Sequence, residues 1–285
     1  MAAIPDHRTS TLTYELQLER DPRWALSEGS RHFEEKSAVF QALHKIATRL
    51  NDLGIPYAVV GGMALFQHGL RRFTEDVDIL VTKEDLRRIH EKLDGLGYLP
   101  PHPRSKHLRD TELGVRIEFL TTGEYPGDGK KKPVVFPEPR PVSFEADGVR
   151  YVTLPTLVEL KLASGMTNAG RLKDLSDVLE LIKLLDLPSG FVDQLNPFVK
   201  DKFSELWKLA RRRYVTLWQA RDAANQRDEL HKDGVTLETA EDDHVLLVTT
   251  DTAVAKKYDM VEESEYWDDV RDEHDGKNAS SESGT

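Results

Sequence analysis

The chain has 285 residues, of which 39 % are hydrophobic and 31 % charged, with no cysteine and a net charge of −11. Lack of cysteine excludes disulfides and thiolate metal sites, so any metal is held by oxygen or histidine. No apolar run approaches the ~20 residues of a membrane span, and the first residues lack a basic segment followed by an apolar core. The reading is a cytoplasmic protein with no membrane partner.

The acidity is uneven. Val261 to Thr285 hold nine acids against two bases, so this tail carries −7 and the rest of the chain −4. An acidic chain does not favour non-specific nucleic-acid binding. The local basic runs "GKKKP" (Gly129 to Pro133) and "ARRR" (Ala210 to Arg213) read first as solvated surface charge.

Taken in chain order, residues 1–30 show no clear period and read as loosely ordered. Val39, Leu43, Ile46, Leu50 and Leu53 recur at helical spacing, and Gly54 stands where that helix would stop. "IPYAVV" (Ile55 to Val60) reads as a buried strand broken by Gly61 and Gly62. A short helix, Met63 to Gly69, follows, and then a strand, Asp76 to Val81. Thr82 can cap a helix from Lys83 to about Leu96, with Asp85 three residues on as an imperfect capping box. Gly114 to Thr122 and Gly148 to Leu154 read as strands, and Gly123 to Pro141, rich in Pro, Gly and Lys, as an exposed loop. The pattern then turns helical: Pro155 to Ser164, Arg171 to Leu185, and about Pro197 to Arg221. "HVLLVTT" (His244 to Thr250) reads as a late strand, and the tail beyond Val261 as disordered.

The chemistry gathers in "GGMALFQHGLRRFTEDVDIL", Gly61 to Leu80. In an extended segment Asp76 and Asp78 project to one face, and Val77, Ile79 and Val81 to the other. Two adjacent carboxylates resist ionising together unless a cation lies between them. Oxygen ligands suit Mg²⁺ or Mn²⁺; the plain alternative is the exposed polar face of an edge strand. Steps of two back from Asp76 reach Thr74 and Arg72, adding a hydroxyl and a guanidinium to the same face, a set suited to a metal-bound phosphate. The amides of Gly61 and Gly62 open a helix where an anion could sit. Glu118, mid-strand in "VRIEFL", is the candidate third carboxylate, with Arg116 on its face as a possible partner. Lys161 either reaches a triphosphate or is a solvated helix lysine. Lys173 with Asp177, and Arg171 with Asp174, are spaced to pair along one helix. His68 reads as a packed or capping side chain. Nothing local decides the roles of His102 and His107.

The strand–GG–helix–DxD–strand pattern resembles the polymerase-β-like nucleotidyltransferase superfamily. "GGMALFQHG" with "RFTEDVDIL" looks like the bacterial branch holding the abortive-infection, type IV toxin nucleotidyltransferases. "LPTLVELKLASGMTNAGRLKDLSDV" (Leu154 to Val178) is similar to the downstream block of that branch. The resemblance implies an α/β fold, a small mixed sheet flanked by helices, with a C-terminal helical region closing over the nucleotide. The resemblance covers roughly Glu35 to Leu187, and the chain reads as a catalytic core over 31–154, a helical region over 155–225, an extension of no assigned role over 226–260 and the acidic tail over 261–285. The resemblance also implies two Mg²⁺ (or Mn²⁺) ions on Asp76, Asp78 and Glu118, with an NTP as substrate. Gly61, Gly62, Arg72, Thr74, Lys161, Arg171, Lys173 and Asp174 would then contact the nucleotide. The acceptor would be tRNA, a protein or a small molecule, and the partner an antitoxin. Many members carry serine where this chain has Gly62, so here the phosphate contact would rest on backbone amides. The alternatives are a non-catalytic nucleotide-binding regulator and an antibiotic-type nucleotidyltransferase.

Overall fold

The computed structural model describes residues 13–102, 105–211, 213–240, 243–263 and 266. The chain forms two units, Met1–Leu206 and Trp207–Thr285.

The first unit is built on a mixed sheet of seven strands: β1 (Ala58–Val59), β2 (Asp76–Val81), β3 (Tyr98–Leu99), β4 (His107–Asp110), β5 (Arg116–Thr121), β6 (Ser143–Ala146) and β7 (Val149–Val152). Their order is β3-β4-β5-β2-β1-β7-β6. The central pair, β2 and β5, is parallel. Parallel neighbours need a crossover, and the helix α5 (Lys83–Leu93) begins it. Thr82 caps α5 reciprocally: its Oγ1 accepts from the Asp85 amide at 3.0 Å and donates to Asp85 Oδ2 at 2.7 Å. Val77, Ile79, Val81, Ile117 and Phe119 are fully buried on the face away from the carboxylates. The amphipathic helix α3 (Ala38–Asp52) adds Val39, Leu43, Ile46 and Leu50 to the core. The α/β expectation holds, with α4 (Gly61–Gln67), α6 (Leu154–Thr167) and α7 (Leu172–Leu184) flanking the sheet.

Loose order over residues 1–30 is not what forms. From Tyr14 the chain is helical, as α1 (Tyr14–Arg20) and α2 (Pro22–Phe33), capped by the side chains of Thr13 and Asp21. Polar groups rather than an apolar stripe hold these helices, which is why periodicity missed them. Glu28, buried at the centre, accepts from the Tyr14 hydroxyl at 3.2 Å and the Ala38 amide at 2.9 Å. Residues 1–12 lie outside the described set.

The helical region drawn over 155–225 also fails as one piece. The helix expected from Pro197 to about Arg221 ends early, as α8 (Pro197–Ala210), before a strand, β8 (Tyr214–Gln219). That stretch, Tyr-Val-Thr-Leu-Trp, is β-branched and aromatic and alternates as a strand does. The second unit is a small α/β body. It comprises α9 (Ala220–Asn225), α10 (Arg227–Lys232), β9 (Thr236–Thr239), β10 (His244–Thr249), α11 (Thr252–Lys257) and β11 (Val261–Glu262). Its sheet runs β11-β8-β10-β9. So the acidic tail begins with a strand; beyond Glu263 only Tyr266 is described, and the rest of the expected disorder lies outside the described residues. Among the described residues no helix is long and apolar enough to cross a membrane.

Candidate functional site

The register of β2 on β5 sets Asp76 opposite Arg116 and Asp78 opposite Glu118. Side chains in register on parallel strands share a face, so the acids converge: ligand oxygens of Asp76, Asp78 and Glu118 lie within 4.8 Å of one another. They line a cavity of about 390 Å³ with Gly61, Gly62, Arg72 and Thr74. The Arg116 guanidinium sits 2.6 Å from Asp76 Oδ2 and 3.8 Å from Glu118 Oε2. Thr74 Oγ1 donates to Asp76 Oδ1 at 3.1 Å. Among the described residues Asp78 receives no such partner. Burial first, then the charges of Asp76 and Glu118, push its carboxyl up to about 7, against the pull of Lys161 and Arg116. A cluster of acids that resists full ionisation by itself, with oxygen donors only, fits a divalent cation.

The two glycines are there for room. Gly61 has φ +62°, and a Cβ on it would stand 1.9 Å from Asp78 Oδ2. A Cβ on Gly62 would stand 2.7 Å from Thr74 Oγ1. Any side chain at either position displaces a group of the carboxylate face, a reason for glycine apart from any phosphate contact.

The opposite wall comes from α6 and α7. Lys161 is neither solvated nor free. It is buried, with Nζ 2.9 Å from Asp174 Oδ1 and 2.7 Å from Asp177 Oδ2. Ser164 Oγ donates to Asp174 Oδ2 at 2.7 Å. Arg72 reaches across from the β2 side and grips both Asp177 oxygens, at 2.9 and 3.0 Å. The expected pairing of Asp177 with Lys173 along the helix is therefore replaced: Asp177 is taken by Arg72 and Lys161, and Asp174 by Lys161 and Ser164. The helical spacing was read correctly, but both aspartates turn inward. Arg171 and Lys173 are exposed at the cavity rim.

Two contributors were not visible in the sequence. His32, fully buried on α2, bonds Ser37 Oγ through Nδ1 and the Arg72 carbonyl through Nε2, each at 3.2 Å. Rings of Phe33, Phe40, Phe66 and Phe73 surround it. It fixes the backbone from which Arg72 projects, across 40 residues of sequence. The segment after β5 also is not simply an exposed loop: Pro126, Gly127 and Phe136 form a cavity wall. His68 is a packed side chain, with Nε2 2.8 Å from the Val152 carbonyl. His107 stands on β4 with Nε2 3.6 Å from Glu118 Oε1.

The sequence matches a family described as an uncharacterised nucleotidyltransferase over residues 6–196, the whole site included. No curated protein matches significantly. Among solved structures it is similar to JHP933 from Helicobacter pylori, at 15 % identity over 67 % of this chain and 95 % of that one, with a TM-score of 0.35. It is also similar to ANT(2'')-Ia in complex with adenylyl-2''-tobramycin, at 13 % identity over 60 % of this chain and 95 % of that one, with a TM-score of 0.32.

Proposed function

The chain belongs to this nucleotidyltransferase family, and on that premise we propose that it moves an NMP from an NTP to an acceptor hydroxyl at the carboxylate face of β2 and β5. The observation that carries the reading is the convergence of Asp76, Asp78 and Glu118 within 4.8 Å, in a cavity rimmed by Arg171 and Lys173. Asp76, Asp78 and Glu118 would hold divalent cations, Mg²⁺ or Mn²⁺. Those cations supply charge neutralisation at the triphosphate and activation of the attacking oxygen.

The chain's own residues do the rest. Gly61 and Gly62 give Asp78 and Thr74 the room to hold their places on the carboxylate face. Arg116 and Thr74 orient Asp76. Arg171 and Lys173 meet the phosphates at the rim, while Arg72, bound to Asp177, ties the two walls together and Lys161, bound to Asp174 and Asp177, joins α6 to α7. The acceptor hydroxyl gives up its proton to solvent, its oxygen bonds to the α-phosphorus, the α–β bridge breaks, and pyrophosphate leaves.

The acceptor is tRNA, a protein or a small molecule, and the toxin reading with its antitoxin rests on the sequence resemblance alone. Incubation with each α-labelled NTP, Mg²⁺ and a cell extract reveals which component takes the label. Transfer is expected, and is expected to vanish in Asp76→Ala and in Asp78→Ala. Robust transfer by the double variant would sink the assignment. Tight NTP binding with no transfer to any fraction would favour a regulatory nucleotide-binding protein instead.

A further inference from the structure

The segment Gly123 to Phe136 closes on itself. The Gly123 amide donates to the Phe136 carbonyl, and the Phe136 amide to the Glu124 carbonyl, both at 2.8 Å. Its three consecutive lysines are not alike: Lys130 and Lys131 are exposed, whereas the Lys132 side chain is 5 % exposed. Lys132 Nζ donates to the Pro126 carbonyl and to Asp128 Oδ1, both at 2.5 Å. A buried ammonium is retained only when well paired, and such charge-assisted bonds are the strong ones. The segment is also seated on α6. Gly127, at φ +78°, approaches so closely that a Cβ would lie 2.4 Å from Thr167 Oγ1, and Asn168 Nδ2 donates to the Gly127 carbonyl at 3.3 Å.

This closure shapes one end of the cavity. Pro126 and Phe136 line it beside Leu120, Leu157 and Leu160. Leu120 shares the face of Glu118 two residues further along β5, roughly 6–7 Å on. The wall is thus apolar and begins about one ribose's length from the carboxylates. A flat aromatic base has the shape and polarity for such a wall.

We propose that Lys132 is a positioning residue that holds the segment shut, and that the wall it fixes seats the nucleobase of the NTP. The inference rests on the nucleotidyltransferase reading, but its test separates the two. Calorimetry measures the binding of an NTP and of inorganic tripolyphosphate, each with Mg²⁺, to the full chain. Lys132→Met is expected to weaken NTP binding about tenfold, equivalent to ~1.4 kcal/mol, and to leave tripolyphosphate binding unchanged. Lys132→Gln, a shorter side chain that remains a hydrogen-bond donor, is expected to lose less, and serves where the Met variant fails to fold. Equal losses for both ligands, no loss for either, or wild-type protein that binds NTP no tighter than tripolyphosphate would each overturn the proposal. Base-dependent binding without nucleotide transfer would count against the enzyme reading and leave the base seat standing.

Discussion

Replacing Lys161 with methionine keeps the stem and removes the ammonium from between two buried acids. The side chains concerned are 7 % exposed for Lys161, 12 % for Asp174 and 5 % for Asp177, so solvent screens little. Removing one partner of a buried pair costs about 3–5 kcal/mol, because the remaining charge is left uncompensated. Asp177 keeps Arg72 and Asp174 keeps Ser164, so the lower end, about 3 kcal/mol, is expected. Burial by itself would raise the Asp174 carboxyl; the Lys161 charge and the bonds from Ser164 and Lys161 turn the shift downward. A depressed carboxyl lends stability that is present above its unfolded pKa and lost as pH falls through the folded one. In Lys161→Met, burial acts without that ammonium. The deficit is therefore largest near neutral pH and shrinks as acid protonates Asp174. Urea unfolding followed by circular dichroism at several pH values, with hydrogen exchange over α6 and α7, reads both the size and the slope. A loss under about 1 kcal/mol at pH 7.5, within the range of an exposed pair, or a deficit that does not shrink on acidification, would refute the reasoning.

Three further outcomes follow from the site. The raised Asp78 carboxyl binds its proton more tightly folded than unfolded, so metal-free protein should lose stability as pH rises from about 4 to 7. Thermal melting with and without Mg²⁺ checks this: Mg²⁺ should restore stability at pH 8, and Asp78→Asn should abolish both effects. Gly61→Ala forces a left-handed residue costing about 1–2 kcal/mol and drives a methyl into Asp78; a transfer assay should find it as inactive as Asp78→Ala, and near-normal activity would contradict the packing described. His32→Phe keeps a ring within its aromatic cage but strips the Arg72 carbonyl of its partner. A stability loss of about 1–3 kcal/mol and a raised KM for NTP are expected, and calorimetry with steady-state kinetics tests both.

What the sequence revealed depended on the range of the signal. β2 coincides with its predicted span because alternation within six residues fixed its face. α3 and α5 were legible from periodicity and a cap. Asp76 and Asp78 could be named because two adjacent carboxylates share one strand face, and Glu118 because a charge in mid-strand needs a reason, although their closeness depends on a parallel register that no local pattern encodes. The partners of Asp174 and Asp177 were misread for the same cause. Helical spacing allows Lys173 and Arg171 as partners, and nothing in that spacing says the acids face inward to Lys161 on another helix and, for Asp177, to Arg72, 105 residues away. His32 and Lys132 were missed because a buried polar side chain in a polar stretch looks like a solvated one.

The charge balance of the cavity leads to a last expectation. Arg72, Arg116, Lys161, Arg171 and Lys173 stand against Asp76, Asp78, Glu118, Asp174 and Asp177. Arg72 and Lys161 are already engaged with Asp177 and Asp174, and Arg116 with Asp76. Among the described residues, Arg171 and Lys173 at the rim form no ion pair within this network, and both are exposed, where charge is screened. An NTP entering alone would bring its polyanionic tail against Asp78 and Glu118, a repulsion that Arg116, drawn closer to Asp76, offsets only in part. Binding of the free nucleotide in chelator should therefore be weak and should strengthen steeply with Mg²⁺ or Mn²⁺. Neutralising Asp78 and Glu118 together (Asp78→Asn with Glu118→Gln) should invert this order, giving metal-independent NTP binding without transfer. Titration calorimetry of both proteins, with and without Mg²⁺, decides it: a double variant that still needs the ion to bind NTP would show that the repulsion lies elsewhere.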